Sequence, residues 1–137
     1  MRSSFPSPTL LSPPKELGKW GEETAAFFLQ KNGYKILERN VEFFAGKRKI
    51  GEIDLVAQKN NKIIFVEVKT IQKSLAFYPE DKMHSRKIKK LIKLSDYYLK
   101  QKKISFNVER QIDVVAIEKT DSQPIIRHYV NIATDKI

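Results

Sequence analysis

Residues 51–70 read GEIDLVAQKNNKIIFVEVKT, and their reading decides the fold. Two runs rich in Ile, Val, Leu and Phe, residues 50–58 and 62–70, flank the polar Lys59-Asn60-Asn61-Lys62. Asparagine tolerates the left-handed backbone that a two-residue hairpin loop requires, so Asn60-Asn61 predicts a tight β-hairpin. With those two residues as the loop, Asp54 falls opposite Glu67, and Glu52 opposite Lys69. Strand side chains alternate between faces, so strict alternation puts all four on one face.

Directly opposed residues have Cβ atoms roughly 4.5–5.5 Å apart, and like charges so placed destabilise a sheet. A pure scaffold has little reason to set Asp against Glu there. A divalent cation removes the conflict, because hard cations such as Mg²⁺ take one or two carboxylates together with water and phosphate oxygens. Lys69, two residues beyond Glu67, would then lie beside both the metal and a reacting phosphate. The cluster reads as a metal-assisted phosphodiester site, with Lys69 orienting or polarising the nucleophile. A plainer reading stands beside it, in which Glu52–Lys69 is an ordinary cross-strand ion pair.

Composition narrows the classes. The 137 residues suffice for one domain with one core. With no cysteine, disulfides and thiolate metal sites are excluded, and a reducing, cytoplasmic setting fits. The two histidines, His84 and His128, are far apart in sequence, which argues against a His-rich zinc site. Lys and Arg number 26 against 16 acids, a net charge of +10 that favours a polyanionic partner, nucleic acid foremost. The alternative for that charge is lysines spread over the surface for solubility. No apolar run approaches the length of a membrane-spanning helix, so no membrane partner is expected.

Outward from the hairpin, the other elements follow. Residues 1–14, with four Pro and four Ser, predict a disordered tail ahead of a single domain over 15–137. Residues 15–32 predict a helix stopped by Gly33, with Leu17, Trp20, Thr24, Phe27 and Phe28 on one side. Glu22 shares a stripe with Gly18, Ala25, Ala26 and Leu29, so it sits at the edge of a buried face or lines a site. Residues 34–44 predict a strand, joined to the hairpin by the basic AGKRK of 45–49, whose Lys47 and Arg48 suit a phosphate backbone. Residues 71–85 show no clear period. Residues 86–100 form an amphipathic helix through Ile88, Leu91, Ile92, Ser95 and Leu99, with Ser85 as a candidate cap. From Lys82 to Lys103 there are nine Lys or Arg and one acid, Asp96. Arg86, Lys87 and Lys90 in this segment are candidates for sequence-independent, salt-sensitive phosphate contact. Their plainer role is the solvated face of a core helix. Residues 107–119 and 125–130 predict two final strands, and Asp113 on the first reads as a tie within the sheet.

Asp54 followed after twelve residues by Glu67-Val68-Lys69 resembles the PD-(D/E)xK nuclease signature, with Ile53 in place of the proline. The fuller wording, GEIDLV then FVEVKT, together with the pattern of Gly18, Gly21, Glu22 and Ala25, resembles the YraN-like uncharacterised bacterial family, relatives of archaeal Holliday junction resolvases. The resemblance covers about residues 16–133. It implies a restriction-endonuclease-like fold. It also implies that Glu22 joins Asp54 and Glu67 around the metal, that Lys87 is the foremost lysine of its helix, and that the substrate is branched DNA cut by a homodimer. Three places depart from the pattern: Glu42 and Ile71 stand where basic residues are common, and Gln111-Ile112 replaces an Arg-Phe pair.

The expectation is therefore an α/β domain, an αβββαβ core with a mixed central sheet flanked by helices. Its expected activity is that of a Mg²⁺- or Mn²⁺-dependent DNA endonuclease with Glu22, Asp54, Glu67 and Lys69 as catalytic residues. The rival is a nucleic-acid-binding module that keeps the nuclease fold without cutting.

Overall fold

The structure, a computed structural model, describes residues 14–72 and 85–133, with side chains from Glu16 onward. Residues 1–13 of the expected tail, and most of the aperiodic stretch after the hairpin, lie outside the described residues. The elements run α1 (Pro14–Lys31), β1 (Lys35–Ala45), β2 (Arg48–Lys59), β3 (Lys62–Gln72), α2 (Ser85–Gln101), β4 (Glu109–Lys119) and β5 (Ile125–Tyr129). Pro14, assigned from composition to the tail, opens α1 instead; a first helical turn tolerates proline because its missing N–H would have no partner there.

The expected α/β order is present, and the five strands lie side by side in the order of the chain. Only β3 and β4 are parallel, and α2 lies in the crossover between them. The two helices serve two separate cores. Trp20, Ala25, Ala26 and Leu29 of α1 pack on Leu55, Ala57, Ile64 and Val66. Leu91, Leu94, Tyr98 and Leu99 of α2 pack with Phe43, Val56, Ile63 and Phe65. The central strand β3 thus feeds alternate residues to opposite layers, which explains its continuous apolar run. In α1, Trp20 and Thr24 of the expected side are buried together with Ala25, Ala26 and Leu29 of the small-residue stripe that carries Glu22, while Leu17, Phe27 and Phe28 are only partly covered. In α2, Leu94 and Tyr98 complete the buried face and Ile88 stays half-exposed.

The hairpin forms as its sequence predicts. Asn60 and Asn61 have φ of 54° and 65°, and the pairs from Lys59↔Lys62 to Leu55↔Val66 keep the expected register. That ladder stops one step short of Asp54 and Glu67. Beyond it β2 remains paired to β1 as far as Arg48, and β3 to β4 as far as Gln72. The sheet forks there.

Strict alternation breaks at the same point, correcting the one-face expectation. Leu55 packs in the α1 core, whereas Ile53, which alternation would place beside it, packs in the α2 core. Across the ladder Asn40, at φ 53°, lies between the pairs Arg39↔Leu55 and Val41↔Ile53. Asparagine is one of the few residues with a side chain that occupy this left-handed region readily. Each strand reverses the facing of its side chains around this spot, and the reversal in β2 falls at Asp54.

Asp113 is fully buried in β4 and accepts hydrogen bonds from Asn131 N (2.9 Å) and Gln111 Nε2 (3.1 Å). Its other oxygen lies 2.8 Å from His128 Nε2 and 3.4 Å from Tyr34 Oη, which donates to it. These contacts join β4 to β5 and to the start of β1, the tying role its sequence position suggests.

Candidate active site

The fork opens a cavity of about 460 Å³. Glu22 enters from α1, Glu52 and Asp54 from β2, Glu67 and Lys69 from β3, and Lys87 from α2. A residue pair that would close a regular ladder instead stands at the mouth of two diverging strands, with one helix above and one below. Glu22, Asp54, Glu67, Lys69 and Lys87 are thus brought together, as their sequence motifs suggest. Arg86, Lys47 and Arg48 are exposed and do not line the cavity, and Lys90 lines a neighbouring one.

Asp54 and Glu67 are buried. One Asp54 oxygen accepts a hydrogen bond from Val68 N at 2.8 Å, so the carboxylate takes up a backbone donor just past the end of the β2–β3 ladder. Glu67 Oε2 lies 3.3 Å from Lys69 Nζ and 3.4 Å from Lys87 Nζ. Half-buried Glu22 is hydrogen-bonded to the side chain of Asn40, the residue at the strand irregularity.

Glu52 is the residue sequence reasoning placed wrongly. It does not pair with Lys69. It lies directly opposite Glu42 across β1–β2, and Lys49 bridges both carboxylates, at 3.2 Å from Glu42. One oxygen each from Glu22, Glu52 and Asp54 lies within 4.8 Å of the others. Two features could have signalled this: the spacing of two between Glu52 and Asp54 on a strand, and an asparagine facing them. Both were legible, but their meaning depends on the interruption at Asn40.

Crowded, poorly hydrated carboxylates resist ionisation. Burial, then the charge of Glu67, pushes the Asp54 carboxyl up to about 8, against a partial counter-effect from the Val68 amide and further upward pressure from Glu22 and Glu52. Glu22 is also raised, chiefly by burial, with the Asn40 hydrogen bond working against the shift. Four carboxylates share the cavity with two lysines, so their full ionisation there requires further positive charge.

The position of Glu22 depends on a close helix–strand approach. A Cβ on Gly21 would lie 2.1 Å from Thr70 Oγ1 and 3.0 Å from both Thr70 Cβ and Cγ2. Rotating the threonine would only exchange one clashing group for another. Gly21→Ala is expected to cost about 1–3 kcal/mol as α1 backs away from β3. Thermal unfolding checks this; an unchanged midpoint would show that the close approach has slack.

Among the described residues, no helix is long and apolar enough to cross a membrane. The chain is similar to proteins named only by family. A UPF0102 protein from Syntrophomonas wolfei is 44% identical over 117 residues, covering 85% of this chain and 96% of that protein. One from Flavobacterium johnsoniae is 41% identical over 116 residues, covering 82% and 89%. One from Syntrophotalea carbinolica is 31% identical over 113 residues, covering 82% and 87%. The model of that same family matches residues 21–117, a span that begins at Gly21 beside Glu22 and takes in every carboxylate and lysine lining the fork. By that match and by these relatives, the chain belongs to the uncharacterised protein family UPF0102.

Proposed function

We propose that the protein is a divalent-metal-dependent DNA endonuclease, with Mg²⁺ or Mn²⁺ as its cofactor. The observation that carries this reading is the meeting of four carboxylates, Glu22, Glu52, Asp54 and Glu67, with Lys69 and Lys87 in one fork. The donor set fits a hard cation: Glu22, Glu52 and Asp54 offer only carboxylate oxygens, already within 4.8 Å of one another. Glu67 adds a fourth carboxylate at the same cavity. When bound, such a cation supplies Lewis-acid chemistry, offsetting phosphate charge and making water acidic enough to attack at neutral pH.

The chain's own residues supply the rest. Lys69 is held beside Glu67 in the cavity, where its ammonium can orient the attacking water and offset charge on the phosphate. Lys87 reaches the cavity from the opposite helix and can hold a phosphate oxygen. In the reaction the water oxygen forms a bond to phosphorus, the ester P–O bond breaks, and the departing oxygen takes up a proton. The remaining basic residues of α2, Arg86 and Lys90 among them, together with Lys47 and Arg48, are suited to binding the flanking backbone without regard to sequence. Branched DNA and a homodimer remain the form of substrate and assembly to test first.

Purified protein incubated with labelled linear, flap and four-way-junction DNA, in Mg²⁺, Mn²⁺ or EDTA, tests this reading. Metal-dependent cutting is expected. Binding without cutting under every metal condition would replace it with the non-catalytic binding module. Glu52→Gln is expected to weaken Mn²⁺ binding about tenfold, because affinity for hard cations follows the number of charged ligands. Equal Mn²⁺ affinity in a calorimetric titration would remove Glu52 from the ligand set.

A further inference from the structure

Two further cavities lie beyond the acidic one along a single ridge of α2. The second, about 180 Å³, shares Glu52 and Lys87 with the first and adds Lys49, Lys90 and Leu94. The third, about 260 Å³, lies between Phe43, Phe44 and Ile50 on one side and Tyr97, Lys100 and Gln101 on the other. On α2 the lining residues 87, 90, 94, 97 and 101 follow one another at three- and four-residue steps, which is one face of a helix. On β2 the facing wall passes from Glu52 through Gly51 to Ile50. The first two cavities adjoin, and the third lies farther along the same seam between α2 and the β1–β2 hairpin, beyond the contact of Gly51 with Leu94. From Lys87 to Gln101 the helical rise gives the seam a length of roughly 21 Å.

Its far end is built unlike a core. Phe43 is buried, yet the next residue, Phe44, is 52% exposed and lines the same cavity. Neighbours on a regular strand face opposite ways. The register of β1 against β2 slips between Phe43↔Gly51 and Phe44↔Lys49, leaving Ile50 of β2 unpaired, and such a bulge bends the strand that carries it. Tyr97 adds a second aromatic wall, its ring 6.4 Å from that of Phe43. Lys100 and Gln101 supply a cation and an amide that can both donate and accept hydrogen bonds. Between the two ends, Gly51 lets α2 sit close, since a Cβ there would lie 2.8 Å from Leu94 Cδ1 and 3.1 Å from Lys90 Cε.

We propose that a single strand of nucleic acid lies over this seam, with a backbone phosphate at Lys87 and Lys90 and an unpaired base stacked on Phe44. The proposal rests on the nuclease reading and names the form of its substrate. An exposed aromatic ring beside cations suits a base joined to a polyanion, since every base has a π-face and needs no particular sequence. A duplex keeps its bases stacked inside and cannot offer one to the cavity. The distance along the seam spans roughly three to six nucleotides, according to how far the strand is stretched beyond its stacked rise of about 3.4 Å.

The test uses full-length protein carrying Asp54→Asn, in EDTA, so that nothing is cut. Binding to a single-stranded oligonucleotide and to a blunt duplex is measured for this parent and with Phe44→Ala or Phe44→Trp added. Phe44→Ala is expected to weaken single-strand binding about tenfold and leave duplex binding unchanged, while Phe44→Trp retains it. A single abasic nucleotide walked along the strand should cost the parent a similar factor at one position, and cost the Phe44→Ala protein nothing there. Equal single-strand affinity with and without Phe44 overturns the proposal. If Lys87→Ala still weakens binding in that case, the nuclease reading stands without it. Failure of every protein to bind either nucleic acid at low salt overturns both.

Discussion

Asp54→Ala is expected to reduce metal-dependent cleavage by on the order of a thousandfold or more, while leaving a folded protein that still binds DNA. The size follows from position. Asp54 belongs to the close carboxylate group with Glu22 and Glu52, takes the Val68 amide, and is the group whose charge the Glu67 carboxylate most disturbs. Its removal takes away a proposed ligand and the acceptor of the Val68 amide. The fold should survive, because the residue lost is a carboxylate repelled by its neighbours rather than part of either apolar core. Cleavage rates at saturating Mn²⁺, set beside circular dichroism and a DNA-binding curve, separate the two effects. Loss of less than tenfold in rate would place the chemistry elsewhere. Loss of DNA binding in step with the rate would mean that Asp54 shapes the surface rather than the reaction.

The second large effect concerns stability in the absence of metal. Asp54 titrates near 8 in the folded protein, against an ordinary value of 3.8. Between those values the folded state holds a proton that the unfolded state has released. Stability is therefore fully present below the ordinary value and falls as pH rises towards 8, the reverse of a salt-bridged aspartate. One such proton gives a slope of at most about 1.4 kcal/mol per pH unit, and relaxation of the site lowers it, so roughly 2 kcal/mol is expected to be lost between pH 5 and pH 8. Glu22, raised mainly by burial, works in the same direction. Asp54→Asn keeps an oxygen for the Val68 amide and removes the titration. Its thermal midpoint should be less dependent on pH and higher than the parent's at pH 8 without metal. Addition of Mn²⁺ at pH 8 should raise the parent by several degrees and the variant by much less, since a ligand stabilises only the state that binds it. Parallel pH profiles for the two proteins would show that Asp54 is not held in the state described.

Much of this site was legible in the sequence for a plain reason. Local chemistry determines a hairpin: two asparagines that accept left-handed φ, flanked by β-branched runs, leave one sensible register. That register brings Asp54 and Glu67 to neighbouring strands, and lysine two places on from Glu67 shares its side of β3. Glu22 was legible too, because a carboxylate on a stripe of Gly, Ala and Leu has few places to go other than the rim of a buried face. The amphipathic period of α2 and its excess of lysine likewise depend only on residues near in sequence.

Glu52 and Phe44 were not legible in the same way, and the cause is common to both. Each stands beside an interruption of regular strand pairing, one around Asn40 and Asp54, the other at Ile50, which has no partner between Phe43↔Gly51 and Phe44↔Lys49. Period-two reasoning assumes a regular pleat, and a one-residue slip sends a side chain to the other face.

The sequence by itself determined the order of elements, the turn at Asn60-Asn61, the register of its arms, and the residue types available for metal and phosphate chemistry. These follow from backbone preferences and spacing over a few residues. Tertiary structure alone decided that β2 and β3 part company just beyond Leu55 and Val66, β2 held by β1 and β3 by β4. Only that parting lets α1 and α2 deliver Glu22 and Lys87 into the same cavity from opposite sides of the sheet, a meeting between groups far apart in the chain that no local pattern encodes.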